Sequence, residues 1–361
     1  MATAAVLSAG SWGTAFASVL ADTGTRVTMH ARRAEVAEEI NRNHRNERYL
    51  PGVDLPASLR ATTDVERAVA GADFVVVSVP AQTLRANLAT WAPLFGPLTV
   101  VVSLMKGIEL DTGLRMSEVI REVAGVGAER VAVASGPNLA REIARKRPAA
   151  SVVACVDEEV AARLQAACRT PYFRPYTNAD IVGCELGGAV KNVIALAVGI
   201  AAGMGLGDNA RSLLITRGLA ETARLGAAIG ADPHTFAGLA GMGDLVATCS
   251  SPLSRNRSFG ERLGRGADVA TAAAAAPQTS EGVKTSEALL ALARCHRVEM
   301  PITEVVVRLL RGDVTLDQAG ALLMERPPKP ERHTRALTSS ASQSQRGTGP
   351  ETDDDRGVRA S

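Results

Sequence analysis

"AAVLSAGSWGTAFA", residues 4–17, is the stretch whose reading decides the fold. It runs from a short apolar segment through a turn of small residues into the opening of a helix. A dinucleotide-binding turn is written Gly-x-Gly-x-x-Gly. Its glycines make the turn tight, admit a pyrophosphate close to the backbone, and let helix and strand pack closely. Here Gly10 and Gly13 hold the second and third places, and Ser8 stands in the first. A small residue can serve there if its φ is negative. The helix beginning near Trp12 then presents free N–H groups to an anion. The rival reading, an incidental strand–turn–helix, is separated from this one by its surroundings.

Outward from the turn, β-branched runs recur at 26–30, 74–79, 98–104, 131–134 and 151–156. Most are apolar without alternation, as strands covered on both faces are. Helical patterns lie between them, so right-handed crossovers and a doubly wound parallel sheet are expected. From about residue 181 the texture changes to Ala/Leu/Gly-rich helical segments at 186–204, 210–229, 236–239, 285–293 and 302–310. The fold class expected is therefore α/β, a Rossmann-like doubly wound parallel sheet followed by an all-helical C-terminal domain. The boundaries drawn are 1–178 for the dinucleotide-binding domain, 179–325 for the helical substrate domain, and 326–361 for a tail. That tail is rich in Pro, Ser, Thr, Gly and charge, and cannot bury enough surface to offset its ordering entropy; it is expected to be disordered.

Bulk properties narrow the function. A chain of 361 residues fits roughly two domains and a tail. With 40 basic against 38 acidic residues the net charge is only +2, which gives no reason to expect nucleic acid as a partner. Five scattered cysteines without CxxC spacing argue against zinc and a disulfide framework, and fit a reducing cytoplasm. No leader is expected, because the glycine turn interrupts the first apolar run. The most apolar stretch, 193–204, is shorter than a membrane span and contains Gly199 and Gly203, so a buried helix and no membrane partner are expected.

The end of the second strand bears on the cofactor. An acidic residue there would bind a ribose 2′-hydroxyl, but residues 28–35 read "TMHARRAE". Arg32 and Arg33 offer guanidinium groups suited to a 2′-phosphate, unless they merely open a solvated helix. NADPH is favoured, with NAD left open.

Lys191 lies in "GGAVKNVIALAVG", a helix otherwise made almost wholly of apolar and small residues. Burial there works against the cation, which suits a group that must give up a proton. A lysine snorkelling from a helix end is the alternative. Asn192 is placed to orient Lys191 or a cofactor amide, and Gly187 and Gly188 to leave room for substrate. Lys106 follows an apolar strand at the carboxyl edge where open α/β sheets bind ligands, and a second ammonium would add like-charge repulsion. Asp244, in "AGMGDLVAT", can orient an ammonium or cap a helix. Arg255 suits a phosphate by its planar fork, with Asn256 beside it and Arg257 a solvated neighbour. The histidines have no metal-ligand spacing, and no metal is expected.

Taken together, "AGSWGTAFA", "RYLPG" with "LPASLRATTD", "VPAQTLR", "SLMKGIE", "ASGPNLAREI", "ELGGAVKNVIALAVGIAAGMGLGDNARSLLITRGLAE", "GLAGMGDLVATCSSPLSRNRSFGERLGRG" and "EGVKTSEAL" closely resemble the bacterial NAD(P)-dependent sn-glycerol-3-phosphate dehydrogenase family. The likeness runs in order from about residue 4 to residue 325, and the departure is Ser8, where the family usually has glycine. The resemblance implies reversible hydride exchange between NAD(P)H and dihydroxyacetone phosphate, giving the sn-glycerol 3-phosphate of glycerophospholipid synthesis. It implies Lys191 as general acid and base. Substrate contacts are implied for Lys106, Gly136, Asn138, Lys191, Asp244, Ser254, Arg255 and Asn256. Cofactor contacts are implied for Ser11, Trp12, Arg32, Arg33, Tyr49, Lys106, Ala140 (through its backbone), Arg255 and Glu281. A cytoplasmic enzyme is expected, its partner a small-molecule substrate, with a homodimer as the candidate assembly. Two readings compete: a dehydrogenase of carboxylate substrates, which leaves "GMGDLVATCSSPLSRNR" unexplained, and a cofactor sensor, which would need none of Lys106, Lys191 and Asp244.

Overall fold

The computed structural model describes residues 2–275 and 281–324. The apolar runs become the centre of an eight-stranded sheet. Its strands are β1 (Thr3–Leu7), β2 (Arg26–His30), β3 (Arg60–Thr62), β4 (Phe74–Val77), β5 (Val100–Ser103), β6 (Val131–Ser135), β7 (Ala149–Ala154) and β8 (Phe173–Asn178). Their order is β3-β2-β1-β4-β5-β6-β7-β8. Successive residues of β1 and β4 face different apolar cores. Ala4, Val6, Phe74 and Val76 join the cluster under one face, and Ala5, Leu7, Val75 and Val77 join that under the other. A strand buried on both faces has no reason to alternate, which is why these runs read as unbroken apolar sequence. β1 pairs in parallel with β2 on one side and β4 on the other, so the strand order reverses there and a crevice opens beyond the carboxyl ends.

One pairing departs from the all-parallel expectation, and two strands were not foreseen. β7 runs antiparallel to β6, with Val133 opposite Ala154. The only helix between them, Ala140–Ala144, has 5 residues, too few to carry the chain back along the sheet, so β7 enters from the end where β6 left. β3 and β8 escape the reading of apolar runs because β3 has 3 residues and β8 alternates around Pro175. β8 forms the sheet edge, where a proline costs no ladder bond.

Beyond β8 the chain is helical. Asp180 caps the first turn of the Ile181–Gly203 helix by accepting from Gly183 N at 2.8 Å. This lysine helix starts earlier than its apolar run suggests. Its 23 residues are long and apolar enough to cross a membrane, yet 89% of its most hydrophobic window is buried inside the chain. Around it pack the helices Gly207–Ala228, Asp244–Ser250, Arg255–Gly264, Glu281–Cys295 and Pro301–Arg311. The Arg255–Gly264 helix comes closest. Gly199 faces the carbonyl of Arg257, Gly203 that of Glu261, Gly260 that of Leu196 and Gly264 that of Ile200, so a Cβ at any of them would collide with backbone. Those glycines let two helices meet backbone to backbone.

The described residues belong to one compact unit, in which sheet and helices have their own apolar cores. The division expected at 178/179 falls in the short link between β8 and the lysine helix. The tail expected over 326–361 lies outside the described residues.

Candidate active site

A cleft of about 910 Å³ opens at the carboxyl edge of the sheet. Of the sequence-derived candidates, Ser11, Trp12, Arg32, Arg33, Tyr49, Lys106, Asn138, Lys191, Arg255 and Asn256 all line it.

At one end lies the glycine turn. The Ser11–Asp22 helix has Gly10 as N-cap, which has no side chain to cap it, and its first residues line the cleft. Gly13 is required: a Cβ there would sit 2.6 Å from the carbonyl oxygen of Ser8. Ser8 corrects the expectation of a negative φ, for its φ is 143°, a conformation that favours glycine. Its Oγ accepts the Gly10 amide at 3.2 Å. The loop carrying Tyr49 is clamped onto this turn. Ser11 Oγ donates to the Tyr49 carbonyl at 2.6 Å, and buried Asn46 donates to Ala9 O and Thr14 Oγ1, each at 2.9 Å. Arg32 and Arg33 follow the end of β2, exposed at the rim, with Glu35 3.6 Å from Arg33. Arg48, which the sequence reading missed, also lines the cleft, over the Tyr49 ring at 5.7 Å.

At the other end two ammonium groups share one carboxylate. Lys191 Nζ donates to Asp244 Oδ1 at 2.6 Å and to Thr248 Oγ1 at 2.8 Å. Lys106 Nζ donates to Asp244 Oδ2 at 2.6 Å and to Gly136 O at 2.8 Å. Asp244 is 1% exposed. Burial pushes the Lys106 ammonium down to about 8, the charge of Asp244 opposing that shift and the charge of Lys191 adding to it. Thr248, one turn after Asp244, escaped notice because a threonine in an apolar helix carries no chemical signal of its own.

The glycine pair before Lys191 admits protein where space for substrate was expected. A Cβ at Gly188 would lie 3.2 Å from Lys106 Cγ and 3.1 Å from Ser135 Oγ, so this glycine makes room for the Lys106 stem. Gly187 faces the carbonyl of Ala240 too closely for any Cβ. Ala240 belongs to a π-helical turn, Leu239–Gly243, that delivers the chain to Asp244. Asn192 donates to the Lys106 carbonyl at 3.1 Å and accepts from Asn256 at 2.9 Å, and Asn256 accepts from Gly282 N at 3.0 Å. This chain of amides fixes Lys106 relative to the lysine helix.

Other candidates stand back from the cleft. Gly136 meets Lys106 through its carbonyl, and Ser254 is buried with its Oγ accepting from Arg257 N at 3.2 Å, as a helix cap. Ala140 opens its short helix and packs on the sheet core. Arg257 corrects the expectation of a solvated neighbour: its side chain is largely buried, 3.7 Å from Glu261. Glu281 begins the Glu281–Cys295 helix, and its side chain lies outside the described residues.

A dinucleotide fits the groups in this cleft. The N-terminus of the glycine-turn helix suits a pyrophosphate, the rim arginines suit a further phosphate, and two buried polar atoms of lining residues, Trp12 Nε1 and Asn138 Oδ1, have no protein partner. Fold and site together define a nicotinamide-dependent dehydrogenase of the two-part, sheet-then-helices kind.

Comparison with known proteins narrows the class. The profile of the NAD-dependent glycerol-3-phosphate dehydrogenase N-terminus matches residues 3–161, and that of the C-terminus matches residues 180–321. The glycerol-3-phosphate dehydrogenase [NAD(P)+] of Streptomyces coelicolor is 65% identical over 329 residues, 91% of this chain and 98% of the relative. That of Thermobifida fusca is 62% identical over 334 residues, 92% and 99% of the two chains. The crystal structure of glycerol-3-phosphate dehydrogenase from Coxiella burnetii superposes with a TM-score of 0.85 at 38% identity, covering 90% of this chain and 99% of that one. The chain belongs to the NAD-dependent glycerol-3-phosphate dehydrogenase family.

Two substitutions test this geometry. Ser8→Gly relieves a backbone strain of about 1–3 kcal/mol, so thermal unfolding should move to higher temperature. Cofactor affinity, read by fluorescence titration, should change by less than about tenfold, ~1.4 kcal/mol. Gly187→Ala would stabilise an unobstructed helix by about 1 kcal/mol. Its Cβ instead strikes the Ala240 carbonyl, so the variant should melt lower and lose ~10-fold or more in kcat as Asp244 shifts.

Proposed function

We propose that this chain is an NAD(P)-dependent glycerol-3-phosphate dehydrogenase, interconverting dihydroxyacetone phosphate and sn-glycerol 3-phosphate for glycerophospholipid synthesis. The observation that carries the proposal is the pair of lysine ammonium groups on Asp244 at one end of a dinucleotide-sized cleft. Ser11, Trp12, Arg32, Arg33 and Tyr49 hold the cofactor, and the exposed arginines favour NADPH without excluding NADH. The bound nicotinamide supplies the hydride that reduces the ketone carbon. Lys191 gives a proton to the carbonyl oxygen as charge develops there, and takes it back in the reverse direction. Asp244 and Thr248 occupy two of the three donor hydrogens of Lys191, leaving the third for that oxygen. Two ammonium groups against one carboxylate leave a local excess of positive charge, which Lys106 and Arg255 direct at the substrate phosphate. The free, mostly buried cysteines support an enzyme of a reducing compartment such as the cytoplasm.

Purified protein should oxidise NADPH only when dihydroxyacetone phosphate is present. Turnover of a 2-keto acid in its place would move the chain to the dehydrogenases of carboxylate substrates. Lys191→Ala should bind NADPH nearly as well as the parent and lose 10²-fold or more in kcat, about the range seen for acid–base residues. Lys106 carries its charge below a pH of about 8. Rising pH removes that proton, so kcat/KM for the phosphorylated ketone should fall through this range. Lys106→Arg, charged throughout, should flatten the fall.

A further inference from the structure

A buried charge cluster that takes no part in proton transfer ties the Lys106 segment to the lysine helix. Glu185 lies ahead of Lys191 in that helix and is 3% exposed. Its carboxylate accepts from Arg115 Nη1 at 2.7 Å, Ser117 N at 2.7 Å and Ser117 Oγ at 2.6 Å. Arg115 is the N-cap of the Met116–Ala124 helix, which packs under the sheet. Its backbone also pairs with Ile108 in an isolated antiparallel bridge. The segment that leaves Lys106 therefore folds back on itself, and both stems are fastened to the same helix. Glu185 holds the Arg115 stem, and Asn192 holds the Lys106 carbonyl at 3.1 Å. Gln82 and Arg85 brace the segment from outside, through Ile108 O at 2.7 Å and Glu109 at 2.9 Å.

A buried ion pair is an expensive way to hold two helices together, since apolar packing of the same volume does so at least as well. A charge-assisted pair adds direction: it fixes the angle and register at which the elements meet. Register matters here, because the ammonium of Lys106 must reach Asp244 past Gly188 while Lys191 reaches the same carboxylate from one turn further on.

We propose that Glu185 is a positioning residue for the reaction: through Arg115 it sets where Lys106 meets Asp244 and Lys191. The proposal rests on Lys106 and Lys191 being the substrate-facing cations. Its test is Glu185→Gln in the full chain, followed by kcat, KM for dihydroxyacetone phosphate, thermal unfolding and NADPH binding. Binding is read from the fluorescence of Trp12 and Trp91, the two tryptophans of the chain, both of which line the cleft. The variant should fold with a lower melting temperature and bind NADPH within about twofold of the parent, while kcat falls ~10-fold or more. The high-pH fall in kcat/KM should also move, since Lys106 then sits differently against Asp244 and Lys191. A folded Glu185→Gln with the parent's kcat, KM and pH profile overturns the proposal and leaves Glu185 as a brace. Should Glu185→Gln fail to fold, Arg115→Lys keeps a cation opposite Glu185 and loses the planar fork. A kcat below the parent's in that folded variant supports the proposal, and a parental kcat overturns it. Full activity in Lys191→Ala would overturn the lysine chemistry itself, a result separable from any outcome at Glu185.

Discussion

Asp244 lies inside the protein between two ammonium groups, each 2.6 Å away. A carboxylate so placed has no water to stabilise it and depends on both partners; breaking a buried pair from one side costs about 3–5 kcal/mol. The partners come from different architectures. Lys106 follows a strand at the carboxyl edge of the sheet, and Lys191 stands on a helix in the middle of the C-terminal core. The contact is thus both the centre of the proposed chemistry and a fastening between sheet and helices, and it forms only when both are complete.

Much of the surrounding structure serves that meeting. Gly188 clears a path for the stem of one lysine, Gly187 lets the turn before Asp244 lie against the helix, and the amides of Asn192 and Asn256 fix the Lys106 backbone. The turn itself is π-helical, a wide geometry that is rare and tends to occur at functional sites. Here it places Asp244 at the head of its own helix with the side chain directed inward.

The sheet was legible because strands buried on both faces must be apolar throughout, and the phosphate turn because it keeps two glycines at the motif's spacing, of which Gly13 has no room for a Cβ. What escaped depends on distant partners. The direction of β7 follows from the brevity of one helix, and β8 from the tolerance of an edge for Pro175. The chemical pair Lys106 and Lys191 could be read from their odd surroundings, an apolar strand end and an apolar helix. The use made of Gly187 and Gly188 could not, since a glycine records only that something is close. Ser8 shows the same limit: its residue type allowed an ordinary backbone, and nothing in it announces the positive φ of the folded turn. Thr248 and Arg48 are ordinary residues that become notable only by position.

The lysine helix also bears on how the chain is made. Residues 181–203 leave the ribosome ahead of every helix that will cover them, the last of which ends near residue 311. At about 5–20 residues per second, roughly ten seconds pass before the last of them is made, and until then a segment greasy enough for a bilayer has little beyond the end of the sheet, at Ile181 and Cys184, to lie against. Nascent-chain protection by a chaperone would matter most in that interval, and a pause in translation there would favour aggregation over assembly.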